Sequence, residues 1–560
     1  MRNLVRACVW FMSTVSVYPA LAATLIQGQI VDEKQAPLHG VLVRVTDHRT
    51  GISESIYSRG DGSFALETSM QGEVEIRSRT PYFRDSKFKV SLNGEEPNLV
   101  DITMYKMTDA QEISDSLPAA YHFGNLPFEE GDDSFFTKYQ FQRDCLTCHQ
   151  MGNPLTRVAR SPRDWVGVII RMHAMLGNFD AELRDRRSEL LSEGFDGAPL
   201  AVRPEFPLSE DLERAKIYEY RMERGVVPHD AIYNPTDGLL YTVDQAADHM
   251  AITDIGTGQT KYVSQSGGGM VHHVFGSVGG ELAVFNGRNG PHSLDMGPDG
   301  KYYVTNTSTN SIGVFSPETH EWEPSFVIGG GAIYPHTIRF DLSGRAWFTL
   351  AGSESLGNLD PETGKTGVIR LPRVRPDGMS GGTTPYGIDT DPITGMVWYT
   401  RLFGDRIGKI DPGTDEVTEF ESPIRGPRRM RFDASGTLWV TGYSEGMLAK
   451  IDPATFESTV YPMPEFAAGY RPAPYALGVH PQTQDIWVNE NMTDRMYRFI
   501  PDEERWVVYP IPLSGTYTRD MTFTDDGKAC TSNNPVPPAA LEGGVLQIIC
   551  IDANAYQLGS

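Results

Sequence analysis

The segment whose residue types and spacing bear most directly on chemistry is Cys145-Leu146-Thr147-Cys148-His149. Two thiols three positions apart with a histidine next to the second form the attachment sequence of c-type heme. The sulfurs make thioethers to the vinyl groups and the imidazole reaches the iron. A zinc site would need a second Cys/His pair close by, and none follows. One covalent heme c is therefore expected, held by Cys145, Cys148 and His149. Met172, His173 and Met175 follow as candidates for the sixth iron ligand. Met172 and Met175 share one face of a helix, while His173 points about 100° away from Met172. A methionine would raise the potential and suit electron transfer, and Met172 is the favoured candidate. An iron with no side chain there would invite oxygen or peroxide chemistry.

A helix must present those candidates. Ser161-Pro162-Arg163-Asp164-Trp165 reads as its start, with Ser161 as N-cap and Pro162 in the first turn. Together with Phe141-Gln142-Arg143-Asp144 this predicts a small α-helical cytochrome domain over 120–224. It resembles the cytochrome segments of the quinohemoprotein amine dehydrogenase type, in which a helix bearing an Arg-Met pair, here Arg171-Met172, follows the attachment site.

Either side of this domain the pattern turns to strands. Residues 24–107 alternate with period two through LIQGQIV, VLVRVTD, SFALET, EVEIRS, KFKVSL and VDITMYK, separated by turn clusters such as Arg59-Gly60-Asp61-Gly62. That predicts a β-sandwich. The pattern Gly28-x-Ile30-x-Asp32, Pro37-Leu38-x-Gly40-Val41 and Gly60-x-Gly62-x-Phe64 resembles the carboxypeptidase regulatory-like domains, which implies a spacer or docking unit without chemistry of its own. From 225 to 560 a unit recurs at Pro228, Pro291, Pro335, Pro385, Pro427, Pro474 and Thr518: strand, Asp-Gly-type turn, strand, as in PHTIRFDLSGRAWFT. Seven such units predict four-stranded blades closed into a seven-bladed propeller. A longer first interval predicts an inserted loop around Gly268-Gly269-Met270-Val271-His272-His273. The fold class is mainly β.

The repeats resemble the streptogramin (virginiamycin B) lyases. The resemblance implies that the residue after each Pro lines the central channel: His229, His292, His336, Tyr386, Arg428, Tyr475 and Arg519. It implies a second lining set after each Trp-x-Thr run: Asp244, Asn306, Leu350, Arg401, Gly442, Glu490 and Asn533. The glutamates by which that family binds magnesium have no counterpart. Gly290 and Asn306 stand two residues before and fourteen after His292, where the resemblance places those glutamates, and Tyr334 and Leu350 do so for His336. The candidate catalytic or binding residues are His229, His292, His336, Tyr386, Tyr475, Arg428, Arg519 and Glu490. The arginines suit a small anionic substrate and the histidines acid–base work.

Composition places this machinery. The chain has 560 residues and a formal charge of −24, which argues against nucleic acid and anionic lipid as partners. Residues 1–23, with Arg2 and Arg6 before a short apolar stretch and Ala20-Leu21-Ala22 at its end, read as a secretory signal peptide. Its removal would take Cys8 with it. Export to the periplasm is expected, with no transmembrane anchor. There Cys530 and Cys550, read as lying on the first and last strands of the seventh blade, would pair. The expected function is a heme-dependent oxidoreductase or electron-transfer protein serving a soluble or membrane-bound redox partner. A single heme moves one electron at a time, so two-electron chemistry would need a second cofactor or subunit, and no motif indicates one. The alternatives are a lyase or hydrolase using the hub histidines, and a non-catalytic relay or binding protein.

Overall fold

The computed structural model describes residues 24–94, 97–128, 136–147, 149–175, 178–200, 206, 208–267, 288–374, 382–535 and 546–556. The signal peptide, Cys148, the side chain of Met175 and the inserted loop at 268–273 lie outside the described residues.

The N-terminal alternation folds as expected, into two sheets around a core that includes Ile26, Ile30, Val43, Val45, Leu66 and Ile76. One sheet is built on Thr24–Asp32 and the other on Leu42–Asp47, Gly72–Arg79 and Ser86–Leu92. A further strand, Ile52–Tyr57, was not among the six expected. Its Ser53, Glu54 and Ser55 are buried because it pairs on both sides, with Leu42–Asp47 and with Lys216–Arg221. Lys216–Arg221 also pairs with Gln547–Asp552. It is the outer strand of the seventh blade, so sandwich and propeller share one eight-stranded sheet. Two ion pairs cross this seam, Arg44–Glu219 at 2.6 Å and Lys216–Glu54 at 2.9 Å. The propeller thus begins at 216 rather than 225: a strand from upstream closes the ring, and no repeat unit marks it in the sequence.

Six four-stranded antiparallel sheets and this seventh blade make up the ring among the described residues. In every blade the register slips just after the residue that opens the first strand, as between Pro291 and Leu294 or Pro427 and Met430. Such bulges turn side chains away from the pleat, and here they send the residue after each Pro to the hub. The threonine of the Trp-x-Thr run holds the bulge. Thr305, Thr349, Thr400, Thr441 and Thr531 each accept the amide that the slip leaves unpaired, at 2.9–3.2 Å. Three of them donate onward to the hub carbonyl of the next blade, Thr400 to Arg428 O at 2.7 Å, Thr305 to His336 O and Thr349 to Tyr386 O. Cys530 and Cys550 form a disulfide, but on adjacent strands where they face each other in register, not on the first and last of the blade. Closing a loop of this length contributes about 3 kcal/mol in the chain-entropy view.

The helical region comprises α1 (Ala110–Ser116), α2 (Ala119–Gly124), α3 (Lys138–Cys145), α4 (Pro162–Met175) and α5 (Ala181–Gly194). It begins ten residues before the expected boundary at 120. Thr137 and Gln140 form a capping box on α3, and Ser161 Oγ accepts the Asp164 amide at the start of α4, as its sequence predicted. The region has no separate core. Phe123, Phe141, Leu146 and Trp165 join a cluster with Phe403, Tyr443 and Phe466 of the propeller.

Candidate functional site

α3 delivers Cys145 to the rim of an apolar cavity whose far wall is one face of α4, with Trp165, Ile169 and Met172 at helical spacing. His149 lines the same cavity. Its Nδ1 lies 2.8 Å from the Gln150 carbonyl, so Nδ1 carries the proton and Nε2 keeps a lone pair. His173 also reaches the cavity, but its Nε2 accepts a hydrogen bond from Arg187 at 3.3 Å. Burial and the Arg187 charge bring its pKa down to about 4. Arg187 and Arg143 share the buried carboxylate of Asp144, at 2.7 and 3.0 Å. Burial pushes the Cys145 thiol up to about 12. Cys145, His149 and Met172 line this cavity together with the apolar Phe141, Trp165 and Ile169, a donor set whose chemistry suits a c-type heme. Met172 is the one of the three sixth-ligand candidates whose described side chain lines the cavity without a competing hydrogen bond.

The seven residues after the strand-opening positions do meet at the hub, each buried and in contact with the next. The rings of His229 and His292 lie 3.6 Å apart, those of His292 and His336 4.1 Å, and those of His336 and Tyr386 4.1 Å. Arg428 Nη2 donates to Tyr386 Oη at 2.7 Å and lies over the faces of Tyr386, Tyr443 and Tyr475. Arg519 Nη1 donates to Tyr475 Oη at 2.9 Å. Burial, with the neighbouring cations, drives the histidines far towards the neutral form, His292 to about 3. Their Nδ1 atoms are engaged by Asp230, the His336 carbonyl and Thr337.

The second lining set behaves differently. Glu490 accepts from the Met492 and Thr493 amides and from Thr493 Oγ1, and Asp244 accepts from the Val226 and Val227 amides, so both carboxylates brace turns. Burial nevertheless lifts Glu490 to about 7. Arg401 spends its charge on Glu354 and Glu419. Arg428 and Arg519, by contrast, meet no carboxylate among the described residues.

A layer one residue further along the strands was not singled out from the sequence. Arg429 lies 3.2 Å from both oxygens of Asp230, and Asp520 pairs with Arg339 and Arg431. Asp230, Arg429 and Asp520 follow the first-ring residues by one position, and Arg339 and Arg431 by three. Tyr443 and Tyr517 were also missed. Tyr443 Oη donates to the Leu146 carbonyl at 2.5 Å, and Tyr517 Oη lies 2.9 Å from the same oxygen. Gln150 Nε2 reaches Asp494 and the Thr516 carbonyl. The Cys145–His149 segment therefore rests on the rings that stack against Arg428 and Arg519.

Residues 279–471 match the Virginiamycin B lyase family. Residues 25–105 match the carboxypeptidase regulatory-like domain. The chain thus carries a virginiamycin B lyase-like propeller behind a carboxypeptidase regulatory-like domain, and the Cys145–His149 segment falls outside both matches. No curated protein matches the chain. Among solved structures, a streptogramin B lyase is 19% identical, with 61% of this chain and 99% of that chain covered and a TM-score of 0.49. A selenomethionine-substituted virginiamycin B lyase from Staphylococcus aureus is 17% identical over 60% and 99%, with a TM-score of 0.48.

Proposed function

We propose that this chain is an exported, periplasmic c-type heme protein, an oxidoreductase or electron carrier whose propeller hub binds a small anion. The observation that carries the reading is the shared wall: Tyr443 and Tyr517 bond the backbone of the Cys-x-x-Cys-His segment and stack on the hub guanidinium groups. When bound, the heme would supply one-electron transfer. Cys145 and Cys148 would hold it through thioethers, and His149 and Met172 would be the iron-ligating residues. In the hub, Arg428 and Arg519 would orient an anion beside the buried, neutral imidazoles of His292 and His336. A soluble or membrane-bound partner would exchange the electrons, and two-electron turnover would draw on a second cofactor or subunit.

The test is expression with the c-type heme maturation machinery. Heme should stay attached to the denatured chain and be lost in Cys145→Ala and Cys148→Ala; a chain that never retains heme would end this reading. Anaerobic addition of small organic acids should then raise the reduced-heme absorbance. Three neutral hub imidazoles also favour a second reading, a lyase or hydrolase. Its activity would survive Cys148→Ala, whereas heme-dependent oxidation would not.

A further inference from the structure

Tyr475 occupies an unusual place in the hub. It is fully buried, and its oxygen accepts hydrogen bonds from Tyr386 Oη at 3.1 Å and from Arg519 Nη1 at 2.9 Å. The Tyr386 hydroxyl is the polar group through which Tyr475 shares a proton. Around it stand Arg428 and Arg429 from the strand Pro427–Phe432, with guanidinium carbons 4.1 and 6.0 Å from its ring centre, and Arg519 at 5.3 Å. The remaining titratable neighbours are the phenols of Tyr386, Tyr443 and Tyr517 and, further off, Asp230. Arg429 is already paired with Asp230. Arg428 and Arg519 meet no carboxylate among the described residues, and Arg428 Nε and Nη1 have no hydrogen-bond partner there. Two buried guanidinium groups without a counter-ion are costly. An exogenous anion could compensate them in place, as could the Tyr475 oxygen that Arg519 already reaches.

We propose that the Tyr475 phenolate and a small exogenous oxyanion are alternative counter-ions of Arg428 and Arg519, so that Tyr475 gates the hub. This rests on the hub being an anion site and adds the group that controls it. Burial alone would push the Tyr475 phenol up, but Arg519, Arg428 and Arg429 outweigh it and hold the phenol at about 8. Below that value the tyrosine is neutral and the guanidinium groups are open to a small carboxylate or other oxyanion. Above it the phenolate takes their charge. An anion that binds then must drive one proton from solvent onto Tyr475 Oη, and no other bond forms or breaks.

Titration calorimetry of the full chain with acetate and with nitrate, from about pH 6.5 to about pH 9.5, tests this. Affinity should be level at the acid end and fall about tenfold per pH unit above about 8. Over that falling limb, paired buffers of different ionisation heat should report uptake of about one proton per anion. In Tyr475→Phe the affinity should stay level and proton uptake should vanish. A level wild-type profile without proton uptake would overturn the gate while leaving the anion site standing, as would a fall that persists in Tyr475→Phe. No binding at any pH would remove the anion site and the gate together. The wild-type proton count decides the matter even if the variant does not fold.

Discussion

The cavity beside Cys145 and the propeller hub both bury arginines, and they treat them in opposite ways. In the cavity wall, Arg143 and Arg187 share the carboxylate of Asp144, and Arg187 goes on to hold His173. Each charge there has a partner, so the group fixes geometry. In the hub, Arg428 and Arg519 meet phenols, an amide and aromatic faces. A compensated charge inside a protein serves architecture, whereas an uncompensated one still carries its desolvation cost. The contrast within the hub points the same way. The layer of Arg429, Asp230 and Asp520 is paired, whereas Arg428 and Arg519 in the adjoining ring meet no carboxylate among the described residues.

The largest effect expected from this contrast concerns acid. His292 is buried with its pKa down at about 3, far below the ordinary value of about 6.5. The folded chain therefore binds fewer protons than the unfolded chain between those values. The stability associated with a neutral His292 is present above about pH 6.5 and is lost as pH falls towards about 3, in all about 5 kcal/mol. Denaturant melts of His292→Phe should show that much less acid sensitivity, and an unchanged slope would mean the hub stays hydrated. Next in size is Asp144→Ala, which leaves Arg143 and Arg187 buried without their anion. It should cost about 3–5 kcal/mol in chemical denaturation and release His173. A loss below about 1 kcal/mol would show that the cavity charges are no better compensated than those of the hub.

How far these features were legible depends on whether a local pattern encodes them. The first ring was visible because Pro, the following residue and Trp-x-Thr recur at fixed offsets, and the bulge and its threonine give that recurrence a physical reason. The offsets could not show that Glu490 and Asp244 would turn their oxygens to their own turns, since that depends on which amides the loops leave unpaired. Ile52–Tyr57 carries Ser53, Glu54 and Ser55 in succession, without apolar alternation, and pairing on both edges is what buries them. The closing strand Lys216–Arg221 carries no repeat signature. The contacts of Tyr443 and Tyr517 with Leu146 join residues 297 and 371 positions apart, beyond the reach of any spacing argument.

The smallest expected effect sharpens the comparison most. Arg428→Met removes a buried guanidinium and replaces it with a shorter apolar chain. The variant forfeits a hydrogen bond to Tyr386 and three ring contacts, worth about 0.5–2 kcal/mol each. It also relieves the chain of desolvating a cation that has no counter-ion, a cost of several kcal/mol. These nearly cancel, so stability should change by no more than about 1 kcal/mol in either direction, while acetate binding is lost. The hub would then differ from the cavity wall as a site differs from a scaffold, with binding abolished by a substitution that folding tolerates. A loss of about 3 kcal/mol or more would place Arg428 with Asp144 among the groups that hold the fold, and the distinction between the two regions would fall.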